Sequence, residues 1–315
     1  MTRLTERRWW PLAKRLLGIA FMALVLGLLV KYARAVDWQE VRDSVRDLPR
    51  DALLQAAVLC FASHLLMSTF DLLGRWYTGH RIPVPKVMQI NATSYAFNLN
   101  FGSLVGGVAF RYRLYSRFGL DAATTTKVLT LSMVTNWLGY LLLAGIVFTV
   151  APLELPPDWK MDSEGLRLLG IALLAVSLAY LLLCGWSRKR NWTIRGHALF
   201  LPPARTALLQ LVMSTANWTI MATAVWVLLQ GRIDFASVLS VLLVAAVAGV
   251  VTHVPAGLGV LEAVFVTLLS HKLPEAQLLG AMIGYRALYY IAPLLVAALM
   301  YLQLELEARK HAHAT

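Results

Sequence analysis

Apolar residues run in long blocks along this chain. Crossing the hydrocarbon of a membrane takes roughly 20 mostly apolar residues in a helix. Six segments meet that requirement: Leu16–Val36, Ala52–Leu73, Val128–Val150, Leu166–Trp186, Thr206–Gln230 and Ala276–Leu302. Backbone groups in lipid must be satisfied within the segment, so each is expected to be a helix. Two further stretches are apolar but interrupted. Val87–Phe118 contains Asn98, Asn100, Gly102, Gly106 and Gly107; Phe235–Ser270 contains His253, Pro255, Gly257 and Gly259. Each divides into two short arms around a Gly- or Pro-rich turn, the pattern of a re-entrant hairpin. A pair of kinked spanning helices is the plainer alternative, since helix-breaking residues are tolerated in ordinary spans.

Composition agrees with the blocks. Hydrophobic residues make up 58% of the 315 and charged residues 15%, where a soluble domain carries about a quarter charged. The expected fold class is therefore an all-α polytopic membrane protein. The formal charge of +12 invites a nucleic-acid reading, but the charges sit in short clusters between apolar runs, as cytoplasmic loops of membrane proteins do. The N-terminus resembles a signal peptide, with Arg3, Arg7, Arg8, Lys14 and Arg15 before an apolar stretch and Ala33-Arg34-Ala35 after it. Its apolar run is at the long end for a signal, so an uncleaved first helix is expected.

Charge assigns the sides. Arg75, Arg81 and Lys86 precede the first interrupted stretch and Arg111, Arg113 and Arg117 end it, so both of its ends are expected inside. Glu154, Asp158, Asp162 and Glu164 form an acidic loop; Arg188, Lys189, Arg190, Arg195 and Arg205 form a basic one. Arg309 and Lys310 follow the last helix. Both termini are thus expected in the cytoplasm of a bacterial inner membrane, with the second hairpin entered from outside.

The chain repeats itself. Ala52-Leu53-Leu54-Gln55 recurs as Ala207-Leu208-Leu209-Gln210, Arg81-Ile82 as Arg232-Ile233, the break at Gly107 as that at Gly259, and Gly119-Leu120-Asp121 corresponds to Leu273-Pro274-Glu275. The shared order at a near-constant offset defines a duplicated unit of helix, hairpin, helix. The expected organisation is a first helix and periplasmic loop (1–51), repeat 1 (52–150), a linking helix (151–205), repeat 2 (206–303) and a cytoplasmic tail (304–315). One helix between the copies inverts the second, the layout of many secondary transporters.

Ionisable residues at membrane depth are functional candidates. Glu262 follows Gly259 in the first turn of a hairpin arm, and Arg286 lies mid-helix among Gly284, Tyr285, Tyr289 and Tyr290. Packing the hairpin on that helix would pair the two, either as a site for an anionic headgroup or as a structural lock. Arg111 and Arg113, interleaved with Tyr112 and Tyr115, suit phosphate; they share a side if extended and diverge if helical. Asn98, Asn100, Asn136 and Asn217 could line a polar path or satisfy hairpin backbone. His253, beside Pro255, is a candidate for binding the substrate; it could titrate, though a histidine in a turn more often serves as a hydrogen-bond partner. His64 and Asp71 are seven apart, hence on one helix face, and Asp71 reads as interfacial. The two cysteines, Cys60 and Cys184, lie in apolar runs, so neither disulfide nor metal site is expected. Zinc-protease, phosphate-loop and nucleophile-elbow motifs are absent; no catalytic residue and no cofactor is expected.

Several segments together resemble a known family. They are Tyr95-Ala96-Phe97-Asn98-Leu99, Gly106-Gly107, Arg111-Tyr112-Arg113-Leu114-Tyr115-Ser116-Arg117, Thr135-Asn136-Trp137-Leu138-Gly139-Tyr140, His253 through Phe265, and Tyr285-Arg286 with Leu288-Tyr289-Tyr290. The chain is similar to the YbhN-type inner-membrane proteins, which look like the membrane part of lysylphosphatidylglycerol synthases. The resemblance implies lipid translocation, and it implies that Gly257, Gly259, Glu262 and Arg286 match the family's hairpin-and-arginine pattern. Only a short tail follows Leu302, so lipid aminoacylation is not expected. The expected function is a phospholipid flippase-like transporter of an anionic headgroup; the alternatives are a secondary transporter of a small polar solute and a non-transporting scaffold of envelope lipid homeostasis. Membrane phospholipids are the expected partners, and assembly into a homo-oligomer stays open.

Overall fold

The computed structural model describes residues 46–153, 155, 162–187, 191–194, 197–252 and 257–314, with single positions before 46. The expected first helix Leu16–Val36 lies, but for single positions, outside the described residues, as do His253 and Pro255 entirely. The chain forms two units, Met1–Asp43 and Ser44–Thr315, and the second holds the helices that carry the site.

Among the described residues six helices are long and apolar enough to cross a membrane: Arg50–Thr78, Ala122–Val150, Ser163–Trp186, Ala204–Leu228, Phe235–Thr252 and Glu275–Glu307. Five of them coincide with spans read from the apolar blocks. The sixth, Phe235–Thr252, was expected as a short hairpin arm; its 18 residues rise about 27 Å, most of a hydrocarbon layer. The only strands among the described residues form a small antiparallel ribbon, β1 (Asn191–Ile194) with β2 (His197–Phe200).

Local chemistry sets the ends and bends. The first span divides at Thr69 into α1 (Arg50–Ser68) and α2 (Phe70–Thr78). There the hydroxyls of Ser68 and Thr69 donate to the carbonyls of Leu65 and Leu66, each at 2.6 Å, a back-bonding that bends helices. Helix α3 (Val84–Phe101) has Pro85 in its first turn and runs unbroken through Asn98 and Asn100. The chain turns only at Gly102, whose φ of +84° an L side chain rarely adopts. A π segment (Ser103–Ala109) and α4 (Phe110–Arg117) then return along α3. Contact is so close that a Cβ on Gly106 would overlap the backbone of Phe97 and Asn98. Helix α5 (Ala122–Val150) is capped by Asp121, whose carboxylate accepts from Thr124 N at 2.9 Å. Helix α6 (Ser163–Trp186) is capped by Asp162, which accepts from Gly165 N. Both caps satisfy donors that a helix start leaves open.

The second copy follows the same plan: α7 (Ala204–Leu228), α8 (Phe235–Thr252), then α9 (Val260–Leu269) packed back on α8 after Gly257 and Gly259. Helix α10 (Glu275–Arg286), a π segment (Ala287–Ile291) and α11 (Ala292–Ala314) make one long rod.

Contacts fix the directions. Thr135 meets Gln210, and Tyr140 stacks edgewise on Trp218, so α5 and α7 run the same way. Gln89 faces Gln303 and Asn100 reaches Tyr290, so α3 opposes the last rod. Gly145 packs on Leu174 and Gly170 on Thr149, so α6 opposes α5. Arg232, just after α7, bonds Gln277 in the first turn of α10, so the last rod starts where α7 ends. Equivalent helices of the two copies therefore run in opposite directions.

Equivalent contacts also exchange partners. Tyr95 of the first hairpin bonds Tyr289 of the last rod, hydroxyl to hydroxyl, at 3.0 Å. About 150 residues out of phase, Tyr140 of α5 donates to Leu243 O of the second hairpin at 3.0 Å. Arg75 Nε donates to Ile82 O and Trp226 Nε1 to Ile233 O, closing the matching loops. Such reciprocity is what a two-fold relation between copies requires.

Large apolar side chains cover the outside of the bundle as well as its core. Phe61 is 70% exposed, Val58 67% and Leu299 71%, while Asp71, Asn91 and Asn217 are fully buried. Apolar exteriors of this extent face lipid.

Candidate functional site

Polar side chains gather where the turns of the two hairpins approach the last rod. Glu262 sits in the first turn of α9, just past the positive-φ pair Gly257 and Gly259. Arg286 closes α10 and is buried. Its Nε donates to Glu262 Oε1 at 2.7 Å and its Nη2 to Glu262 Oε2 at 2.8 Å, a bidentate pair. Nη2 also reaches Gly257 O at 3.1 Å. The two side chains are only 8% and 14% exposed. The guanidinium lies over the ring of Tyr290, 5.2 Å from its centroid.

One turn further along the rod, Tyr289 is the centre of a second group. Its hydroxyl meets Ser63 Oγ at 2.9 Å and Tyr95 at 3.0 Å, and Ser63 donates to Asn217 Oδ1 at 2.7 Å. Four elements, two from each copy, are tied by this chain of hydroxyls and amide. Tyr285 stacks on Tyr289 with centroids 5.1 Å apart, and its hydroxyl has no partner among the described residues.

The basic cluster at the end of the first hairpin is divided. The segment is helical, so Arg111 and Arg113 point apart. Arg111 turns inward, with Nε 3.3 Å from Asp71 Oδ2 and Nη2 bonded to Asn91 Oδ1. Tyr115 donates to the same Asp71 oxygen at 2.8 Å, and Asn91 donates to Met67 O, beside the bend at Thr69. Asp71 is fully buried near the end of its span, with its partners on the first hairpin, whereas His64 faces Tyr95 and Tyr289. Arg113 and Arg117, one turn apart, both reach Glu305 Oε1, at 3.0 and 2.7 Å. Lys86 pairs with Glu307 at the same end.

The other sequence candidates take smaller parts. The carbonyl of the Asn98 side chain is buried beside Gly107, without a partner among the described residues. Asn136 contributes through its backbone, its carbonyl accepting from Ser214 Oγ and Trp218 Nε1. Asn91, Ser63 and Glu305 escaped sequence reading, and Tyr95 stood out only as part of a family-like segment, not as a site residue. Glu305 had one signal: an acid one turn past the last apolar block, facing a chain rich in arginine near residue 113. Its helix continues past the expected boundary at 304.

Among the described residues outside the spans and the hairpins, three groups shift. Burial, and then the Arg75 charge, hold the His80 imidazole below its usual range against the pull of Asp71. Hydrogen bonds from the Thr124 hydroxyl and backbone lower the Asp121 carboxyl. For Asp234 burial pushes upward, but Ser237 and Lys272 outweigh it and the carboxyl ends below its usual range. No group of three or more His, Cys, Asp or Glu among the described residues could hold a metal.

Residues 15–297 match the profile of the lysylphosphatidylglycerol synthase transmembrane region. The chain belongs to that family. It is 46% identical over 302 residues to the inner membrane protein YbhN of Escherichia coli, covering 96% of this chain and 95% of that one. It is 30% identical to the protein slr0712 of Synechocystis over 91% of this chain and 90% of that one. A phosphatidylglycerol lysyltransferase of Staphylococcus haemolyticus matches at 21% identity over 90% of this chain, which spans 33% of that enzyme. The family is one of multi-span membrane proteins that includes the membrane region of lipid-modifying enzymes.

Proposed function

We propose that this chain carries lipids with anionic headgroups across the cytoplasmic membrane, the headgroup passing between the hairpin turns while the acyl chains stay in lipid. The bidentate Arg286–Glu262 pair carries this reading. It fastens the turn of the second hairpin to the last rod, it is buried, and its guanidinium fork is the shape that binds phosphate. A lone charge at the bilayer centre costs at least about 2.5–3.5 kcal/mol; an arginine that exchanges Glu262 for a headgroup phosphate lowers that barrier. Relatives named for acting on phosphatidylglycerol support a phospholipid cargo. In this reading the ends of the first hairpin and the C-terminal rod, with Lys86, Arg113 and Arg117, lie on the cytoplasmic side.

The test is reconstitution of purified protein in liposomes carrying labelled phospholipids of different headgroups. Wild type is expected to speed translocation of anionic lipids above that of zwitterionic ones. Arg286→Met and Glu262→Gln are expected to abolish it. The double variant R286M/E262L, which leaves no unpaired charge, is expected to fold and still not transport. Transport by that double variant at the wild-type rate would overturn the assignment of the site.

A further inference from the structure

The π segment Ala287–Ile291 begins at the residue after Arg286. A π turn holds one residue more than an α turn, and such turns concentrate at functional sites. Here its carbonyls are held from outside the rod. His64 Nε2 lies 3.0 Å from Tyr289 O; a carbonyl only accepts, so Nε2 carries the proton. Asn100 Nδ2 donates to Tyr290 O at 3.2 Å, and to Ala96 O at 2.8 Å on its own helix. Asn100 is fully buried, two residues before the turn at Gly102. The rings pack the same way, His64 lying 4.7 Å from Tyr289 and 5.4 Å from Tyr95 between centroids.

Two hairpins from opposite ends of the bundle thus grip one wide turn. The first holds it by Asn100 on the Tyr290 carbonyl. The second holds it by Glu262 on Arg286, whose guanidinium lies over the Tyr290 ring. We infer that Asn100 and His64 are positioning residues that aim Arg286 at Glu262 through the π turn, so that the two hairpin turns are mechanically coupled. The coupling deepens the transport reading, because a headgroup that displaces Glu262 loosens the same turn that Asn100 grips. Without the two outside donors the wide turn relaxes toward a regular helix and rotates Arg286 off the carboxylate. Coupling of this kind is reciprocal: freeing the second hairpin must loosen the first.

Hydrogen exchange on purified protein in detergent reads this without any transport. The variants are Asn100→Leu, His64→Phe, and His64→Gln, which restores a side-chain N–H donor. In the first two, peptides covering 257–269 and 282–291 are expected to exchange about tenfold faster, as loss of a bond that leaves a buried carbonyl unpaired implies. Peptides of α6 and the start of α7 are expected to match wild type, and His64→Gln to recover most of the protection. Glu262→Gln is expected to speed exchange across 98–110. Wild-type exchange over 257–269 in both Asn100→Leu and His64→Phe would overturn the inference, as would a uniform rise over the whole chain. A protein that moves no lipid but shows the reciprocal pattern would sink the transport reading and leave the coupling standing.

Discussion

Removing one member of a buried ion pair strands the other, at a cost of about 3–5 kcal/mol. Arg286→Met and Arg111→Met should each lower stability by that order, read as thermal unfolding in detergent. R286M/E262L should return close to wild type, because apolar replacement of a whole pair is often neutral. His80 sets a pH dependence. Its folded-state pKa lies below its ordinary value, so the unfolded chain takes up the proton first as pH falls, and stability is lost from the ordinary imidazole range downward. His80→Gln should flatten the fall in melting temperature between neutral and mildly acidic pH; an unchanged slope would show that another group governs it. Glu262 and Arg286 stood out in the sequence because each is a charge within an otherwise apolar run. Asp71 and Glu305 did not. Both lie near span ends, where a charge costs little, and only the bend at Thr69 and the long last rod bring them inside.

At the scale of elements, the first hairpin depends on the approach of its arms. Gly106→Ala puts a methyl group into the backbone of Phe97 and Asn98 and should cost at least about 1–3 kcal/mol, as overpacking does; Gly119→Ala, with open space around it, tests backbone strain alone. The hold of α4 on the last rod is shared. With Arg113 and Arg117 both on Glu305, either single Met variant should be mild, since the remaining arginine still neutralises the carboxylate. R113M/R117M should lose far more than the sum, measured as a double-mutant cycle of melting temperatures. The apolar blocks placed five spans within a few residues. Asn98 and Asn100 misled, because an amide side chain in the last turn of a helix does not end it; the bend waits for the residue that tolerates positive φ, Gly102.

At the scale of the whole molecule, the inverted duplication was readable from a few short recurrences. Its consequence in space was not: the exchange of Tyr95–Tyr289 for Tyr140–Leu243 needs the packing of four elements. The two copies open their hairpins at opposite ends of the bundle, which labelling can test. A membrane-impermeant maleimide should reach Ser116→Cys only in inverted vesicles and His271→Cys only in right-side-out ones, with Cys60 and Cys184 buried and silent. Labelling of both from one side would contradict an antiparallel pair of copies spanning the bilayer.

The wide turn after Arg286 also constrains the gene. A π turn holds one residue more than an α turn, so loss of a single codon within 287–291 would leave a regular helix whose two flanks keep their register, with Arg286 still turned to Glu262 but without the wide turn that Asn100 and His64 grip. Missense changes along the lipid-facing side of that rod, at Leu295 or Leu299, should be borne easily. A one-codon deletion beside those leucines, in regular helix with no wide turn to absorb it, turns one flank by about 100° against the other and should be far more damaging.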